Sequence, residues 1–435
     1  VAVRGIHTIR THRHACFLHA GSPRVATMSL EQLSQLQPPP QIRPEPARAA
    51  LTRPVTLLFA ATAGFAVANV YYAQPLLDTL AYQFDISRAA IGGIMTITSV
   101  CYGLGLLLLV PLGDVWDRRR MILIQSVVSA LALLTIGAAA QAPVLLVGMA
   151  VIGFLSVVTQ VLVAFAAGLA EPAERGRIVG TVTSGIVLGI LLARTFSGAI
   201  ADLAGWRAVY FTSAGVTLLL AVVLSRVLPR HRVPGVAEPY PRLIASVFTL
   251  FGQERVLRVR ASIAFLHFAA AMTLWTPMVL PLSAPPLSLS HTEIGLFGLA
   301  GAAGALGAAR AGRLADRGFA QWTSGIGLAL MLVSWLPTAL VMHSLVALVI
   351  GVIAFDLGLQ AVHVTNQSLI YGVRPEARSR LTAGYMLFYA IGCAFGSIAS
   401  TCVYARFGWG GVCVLGATIS ATALVFWYAT LRPRA

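Results

Sequence analysis

Gly113-Asp114-Val115-Trp116-Asp117-Arg118 returns as Gly312-Arg313-Leu314-Ala315-Asp316-Arg317, each time between long apolar runs. Two further pairs follow the same rule. Pro172-x-x-Arg175-x-Arg177 is matched by Pro375-x-x-Arg378-x-Arg380, and Gly205-Trp206 by Gly408-Trp409. The displacements are 199, 203 and 203 residues, so a whole multi-helix unit is duplicated rather than a short motif. Duplicated helical halves are a common build for transporters.

The chain is 57% hydrophobic and 11% charged, with a mean hydropathy of +0.81, whereas soluble domains carry about 25% charged residues. A water-soluble fold is excluded on that ground. The net charge of +16 points first to nucleic acid, but no basic patch is interleaved with aromatic stacking residues. The 31 basic residues are all arginine, and topology distributes them. Twenty fall in loops or helix ends on one side, three (Arg88, Arg207, Arg406) on the other, seven before the first span and one, Arg194, inside a span. The positive-inside rule makes the arginine-rich side cytoplasmic. Without lysine there is no P-loop phosphate cradle, so ATP-driven transport by this chain alone is not expected.

Crossing a bilayer as helix takes about 20 mostly apolar residues. Twelve segments qualify: 55–78, 89–112, 121–140, 143–169, 178–202 and 206–228, then 259–281, 292–312, 321–342, 344–370, 379–403 and 409–431. We number them spans 1 to 12. The expectation is an all-α membrane protein of twelve transmembrane helices in two pseudo-symmetric six-helix halves, with both termini cytoplasmic. Residues 1–53 read as a polar leader, 54–228 as the first half, 229–258 as a cytoplasmic linker and 259–435 as the second half. Within the leader, Met28 is the expected start of translation, with an organelle presequence as the alternative. Leu243 to Phe251 is apolar but too short to span, so it lies on the membrane surface or against the cytoplasmic mouth. Cys101, Cys393, Cys402 and Cys413 lack metal-type spacing and read as packing thiols.

Twelve spans, the paired G-x-x-x-D-R loops after spans 2 and 8, and the R-x-R loops after spans 4 and 10 together resemble the major facilitator superfamily, over residues 50–435. The match falls on Gly113, Asp117 and Arg118, with Arg120 where a second glycine is usual, and on Gly312, Asp316 and Arg317. The resemblance implies that these loops, with Arg175 and Arg378, latch one conformation of an alternating cycle. The plainer alternative is that they are positive-inside anchors. Glycine at 113 and 312 suits a close turn, and Asp117 and Asp316 suit a helix cap paired with a loop arginine.

Span 10 carries Asp356, Gln360, His363 and Gln367 at spacings of four, three and four, which put them on one helix face. Asp356 lies about 12 residues into the span, roughly 18 Å deep at 1.5 Å per residue. A charge there costs at least about 2.5–3.5 kcal/mol and normally marks function. In a major-facilitator fold spans 1, 4, 7 and 10 line the cavity, which implies that this face looks into the substrate path; interhelical hydrogen-bond glue is the alternative. Arg194 in span 5 reaches a similar depth, so it either interacts with Asp356 across the halves, receives an anionic substrate group, or faces a water-filled vestibule.

Span 5 also carries Gly185-x-x-x-Gly189 and Gly198, which resemble part of a glycine-rich motif of proton-linked drug exporters. The usual Gly-Pro pair is absent, and close helix packing is an equal reading. Asn69-Val70-Tyr71-Tyr72-Ala73-Gln74-Pro75 in span 1 resembles a segment of a bacterial exporter branch of the superfamily. It offers Asn69, Tyr72 and Gln74 as cavity candidates, joined by Gln160, His267, Trp275 and Tyr385. Pro75 and Pro277 are counterparts expected to mark bends. An aromatic belt is the alternative for Trp275 and the tyrosines. Met149 stands where many drug/proton antiporters have arginine.

The expected function is secondary active transport of a small organic molecule, outward in exchange for protons, with Asp356, His363 and Arg194 as coupling candidates. Uptake of an organic anion on Arg194 is the alternative within transport; an embedded enzyme or sensor lies outside it. No cofactor is expected. The expected partners are substrate, protons and the lipid bilayer of the inner membrane around a monomer.

Overall fold

A computed structural model describes residues 52–113, 115–171, 174–228, 239–301, 310–311, 313–374 and 378–431. Of residues 315, 316, 378 and 379 only the backbone is described. Most of the expected leader, Gly312, the side chains of Asp316 and Arg378, and residues 229–238 of the segment joining spans 6 and 7 therefore lie outside the described residues.

All regular structure among the described residues is helical. Ten segments are long and apolar enough to cross a membrane. The last of them, Arg380–Leu431, runs for 52 residues but breaks at Gly408, where φ is +61°, so it is two spans. His291–Ala300 begins the remaining span, whose continuation over 302–309 is not described. Twelve spans result. Gly205, with φ of +82°, ends span 5 as Gly408 ends span 11. Only glycine takes that backbone freely, which is why the Gly-Trp pair recurs.

Spans 1 and 7 are broken at matching places. Span 1 runs Arg53–Tyr71, turns through a short 3-10 segment Gln74–Leu76 that contains Pro75, and resumes as Leu77–Gln83. Span 7 runs Arg255–Trp275, turns around Pro277 and resumes as Val279–Ser283. A proline lacks the N–H that would continue the ladder, so each helix gives way beside it, as the sequence suggests. The breaks set Gln74 and Trp275 free to turn toward span 5.

The two sets of six helices meet at the end away from the arginine-rich loops. Spans 2 and 11 join there through Thr96 and Thr401, whose hydroxyls donate to Ala394 O and Ala89 O at 3.0 Å each. Spans 5 and 8 press together at glycines: a Cβ on Gly198 would collide with the His291 carbonyl, and one on Gly295 would lie 2.5 Å from Arg194 O. Gly185 and Gly189 face the other way, against Ala60 and Gly64 of span 1. The stripe of span 5 is thus a packing device in both directions, which agrees with the plainer reading.

At the arginine-rich end the helix Tyr240–Gln253 buries Val247 and Leu250. Tyr240 Oη donates to Leu108 O of span 2 at 2.5 Å, and Phe251 stacks on Phe388 of span 11 with centroids 5.1 Å apart. The short apolar segment therefore lies against the helix ends and straddles the two halves.

Candidate functional site

Arg194 is 6% exposed and surrounded from three spans. Its Nε donates to Gln74 Oε1 at 2.7 Å, and its guanidinium lies 3.9 Å from the ring centroid of Trp275 and 5.3 Å from that of Tyr71. Gln74 Nε2 in turn points at Met272 Sδ at 3.6 Å. The N–H edge of the same indole reaches the span 10 acid: Trp275 Nε1 donates to Asp356 Oδ1 over a long 3.4 Å. Asp356 is 8% exposed. Arg194 and Asp356 thus interact across the halves, but through Trp275 rather than as an ion pair in contact. A cation on an indole face gains about 2 kcal/mol when desolvated, which offsets part of the cost of burying it. Trp275 is 4% exposed, so it is an interior wall and not part of an aromatic belt.

The unbroken helix Leu345–Tyr371 keeps the four-residue stripe on one side. Asp356 meets span 7, and His363 Nδ1 lies 2.9 Å from Tyr385 Oη of span 11. Phe268 packs edge-on against both His363 and Tyr389, with centroids 5.2 and 4.1 Å away. Tyr389 and Tyr71 share a hydroxyl hydrogen bond of 3.0 Å across the halves, and Tyr102 lies edge-on to Tyr389 with Gln160 beside its own hydroxyl. His267 is fully buried; its Nδ1 sits 2.6 Å from Ile263 O and its Nε2 has no partner. Gln360 and Gln367 are part-buried.

Two sequence candidates turn away from this cluster. Asn69 Oδ1 accepts from Ser213 Oγ of span 6 at 2.6 Å. Tyr72, 1% exposed, packs on Phe196. Both are held within the first six spans: three residues apart at the end of the Arg53–Tyr71 helix, they share a face turned away from Tyr71.

Two groups escaped the sequence reading. Arg194 is not the only arginine buried within a span: Arg260 is 5% exposed, with Nη2 donating to Gln321 Oε1 at 2.7 Å and Nη1 to Asn366 Oδ1 at 3.4 Å. It counts as a helix-end residue by position in span 7, yet spans 9 and 10 cover it. Asn366, off the stripe, is its partner and leaves Nδ2 unsatisfied. The second group lies at the arginine-poor rim. His291, at the foot of span 8, places Nδ1 2.9 Å from Asp202 Oδ1, and Nε2 2.8 Å from Thr79 Oγ1 and 3.4 Å from Asp78 Oδ1. Asp202 also accepts from the backbone N–H of His291 at 3.2 Å and of Thr292 at 2.7 Å, so an acid of span 5 adds to the Ser290–Glu293 capping box at the start of span 8. An acid near the end of spans 1 and 5 and a histidine opening span 8 are visible in the chain; their meeting is not.

In the first signature loop Asp117 accepts from Arg119 N at 3.0 Å, which caps span 3, the helix it opens, and pairs weakly with Arg120 at 3.8 Å. Arg118 donates from Nε to Gly113 O at 2.8 Å and from Nη1 to Ala164 O at 3.2 Å, tying the loop to span 4. Gly113 has φ of −65°, an ordinary right-handed value, so the turn itself does not demand glycine there. Arg175 and Arg317 are exposed. Among the described residues no group of three His, Cys, Asp or Glu side chains has the geometry to hold a metal, the His291 cluster included.

The model of the Major Facilitator Superfamily matches residues 57–371 and 261–435. An uncharacterized transporter, YgaY, of Escherichia coli O157:H7 is 46% identical over 378 residues, 87% of this chain and 96% of that protein. The protein named Probable transporter SCO4007, of Streptomyces coelicolor, is 30% identical and covers 90% of this chain and 89% of its own. Among solved structures, a bacterial homologue of the human lysosomal transporter Spinster, in an inward-facing and unoccupied conformation, superposes with a TM-score of 0.69 at 16% identity, covering 86% of this chain and 95% of its own. The nucleoside transporter NupG gives 0.68 at 13%, covering 87% and 99%.

Proposed function

Because the chain belongs to the major facilitator superfamily and is a multi-pass membrane transporter, we propose that it exports a small organic molecule across the inner membrane in exchange for protons. One observation carries this reading: Arg194 and Asp356, from opposite halves, are buried at one level and coupled through Trp275. Rocking of the halves that moves Arg194 relative to Asp356 changes the carboxylate's affinity for protons, which links proton release to substrate binding. Asp356 is the coupling carboxylate, with His363, hydrogen-bonded to Tyr385, and then His267 as the next candidates. Gln74, Trp275 and Tyr385 form the cavity wall, with Gln160, Gln360 and Gln367 beside it.

In this reading the arginine-rich end is cytoplasmic, the protein acts as a monomer, and the halves are 54–228 and 259–435 around the 229–258 linker. The loops at Asp117 and Asp316 bias the conformational equilibrium without touching substrate. Single cysteines beside Arg118, Arg175, Arg317 and Arg378 should label from the cytoplasmic side alone; labelling from outside intact cells sinks the orientation.

Proteoliposomes carrying the protein and a pH dye test the coupling. Asp356→Asn should abolish gradient-driven accumulation and spare downhill exchange. Uphill transport with an unaltered pH profile in that variant moves the proton site to His363 or His267. The second reading, proton-linked uptake of an organic anion, is favoured by the donors Arg194 keeps free, and proton entry together with the anion would select it.

A further inference from the structure

Arg194 and Asp356 each use one side on the protein and leave the other open. Arg194 bonds through Nε alone; Nη1 and Nη2, which carry four of the guanidinium's five N–H donors, have no hydrogen-bond partner yet are not sealed in the packing. Asp356 spends Oδ1 on the indole, and Oδ2 is likewise unpaired and accessible. One turn of span 8 packs against both side chains. A Cβ on Gly301 would come within 2.6 Å of Asp356 Oδ2, and one on Gly298 within 3.1 Å of Arg194 Cβ. Hydrogen in place of a side chain at both positions lets span 8 approach the two charged residues closely. Trp275 and Tyr71 set aromatic faces against the guanidinium.

We infer that these two groups together recognise a small zwitterion, its carboxylate on Arg194 Nη1 and Nη2 and its ammonium on Asp356 Oδ2. The inference rests on the transport reading and names its substrate class. A singly charged molecule satisfies one end and leaves the opposite charge buried without a partner, which costs several kcal/mol. A zwitterion pairs both ends, and the guanidinium fork suits a carboxylate in two-point contact. It also supplies a reason for exchange, since the substrate ammonium and a proton compete for the same carboxylate oxygen.

The test is binding to the full-length protein in detergent, without a gradient, by isothermal titration and thermal shift. The probes are L-phenylalanine, L-leucine and L-serine, with the amine that each leaves on loss of its carboxyl and the acid that each leaves on loss of its amino group. At least one amino acid should bind tenfold or more tightly than both its amine and its acid. Arg194→Gln should erase the preference over the amine, and Asp356→Asn the preference over the acid. Gly301→Ala keeps both charges and presses a methyl group on Asp356 Oδ2, so it should weaken the amino acid at least tenfold; it carries the test if the charge variants do not fold. An amine or acid that binds as tightly as its parent overturns the assignment, and so does silence from all three amino acids. Zwitterion binding retained in a protein that moves no protons would sink the coupling and leave this inference standing.

Discussion

In the middle of the seam Arg194 and Asp356 both contact the indole of Trp275 and form no ion pair with each other, whereas at the arginine-poor rim His291 of the second half touches Asp78 and Asp202 of the first directly. The buried cluster compensates charge without contact, through a π face and an amide. The rim cluster uses short bonds between side chains about a quarter exposed. A direct ion pair in the dry interior would be costly to break in every cycle. At the rim, water replaces lost partners, so contacts there can form and break for little free energy. In the proposed transport cycle the central pair accepts the ligand and the rim opens and shuts.

The largest expected effect tests whether the separated charges are coupled. Arg194→Ala leaves Asp356 facing an indole with no counter-charge, and the loss of a buried partner costs about 3–5 kcal/mol. Thermal unfolding in detergent should fall by several degrees and recover in large part when Asp356→Asn is added. If the two losses simply add, the indole insulates the charges and the comparison fails.

At the rim, Asp202→Ala removes the acceptor of two span 8 backbone N–H groups and one imidazole partner together, and leaves the Ser290–Glu293 capping box in place. Bonds of this capping type are worth about 0.5–2 kcal/mol, so the closed rim should lose about two- to thirtyfold in population. Spin labels at Tyr82→Cys and Ser288→Cys would record the longer distance. An unchanged distance distribution would show that the glycine contacts of spans 5 and 8 hold the rim alone.

The hydrogen bond to Asp78, with Asp202 beside it, raises the proton affinity of His291 above the ordinary histidine value of 6.5. The closed rim therefore binds the proton more tightly than an open rim does. Its extra stability is complete below the ordinary value and is lost as pH rises through the raised one. The labelled pair should show a rim that loosens with rising pH, and His291→Gln should flatten that dependence while leaving zwitterion binding intact.

The smallest effect belongs to the loop at the opposite end. Asp117 is a cap with one 3.8 Å ion pair, and exposed pairs contribute about 0–1 kcal/mol. Asp117→Asn should slow exchange by a few-fold without unfolding the protein, and Gly113→Ala should do less. Exchange at the parental rate in a folded Asp117→Asn protein returns the loop to a positive-inside anchor.

The depth of Arg194 and Asp356 was legible because rise per residue converts position in a span into height. Their intermediary was not, since Trp275 belongs to a third span and its orientation depends on the break at Pro277. Arg260 shows the limit of counting from span ends. Five residues inside Arg255–Trp275, it would be near the surface on a lone helix, but spans 9 and 10 close over it. Asn69 and Tyr72 show the limit of a motif: within six residues of one segment, Tyr71 and Gln74 reach the centre while these two pack into their own half.

By itself the sequence determined the duplication, the apolar spans, the proline breaks, the arginine asymmetry and the one-sided stripe of span 10. All of these are properties of hydropathy, period and spacing along a single chain. Only the tertiary structure decided that Arg194 and Asp356 share one indole, that Gly298 and Gly301 pack against them, and that His291 closes on Asp78 and Asp202. Those contacts join residues about 55 to 210 positions apart, and they depend on how each helix is rotated about its axis. Rotation is fixed by packing against neighbours, which no local pattern encodes.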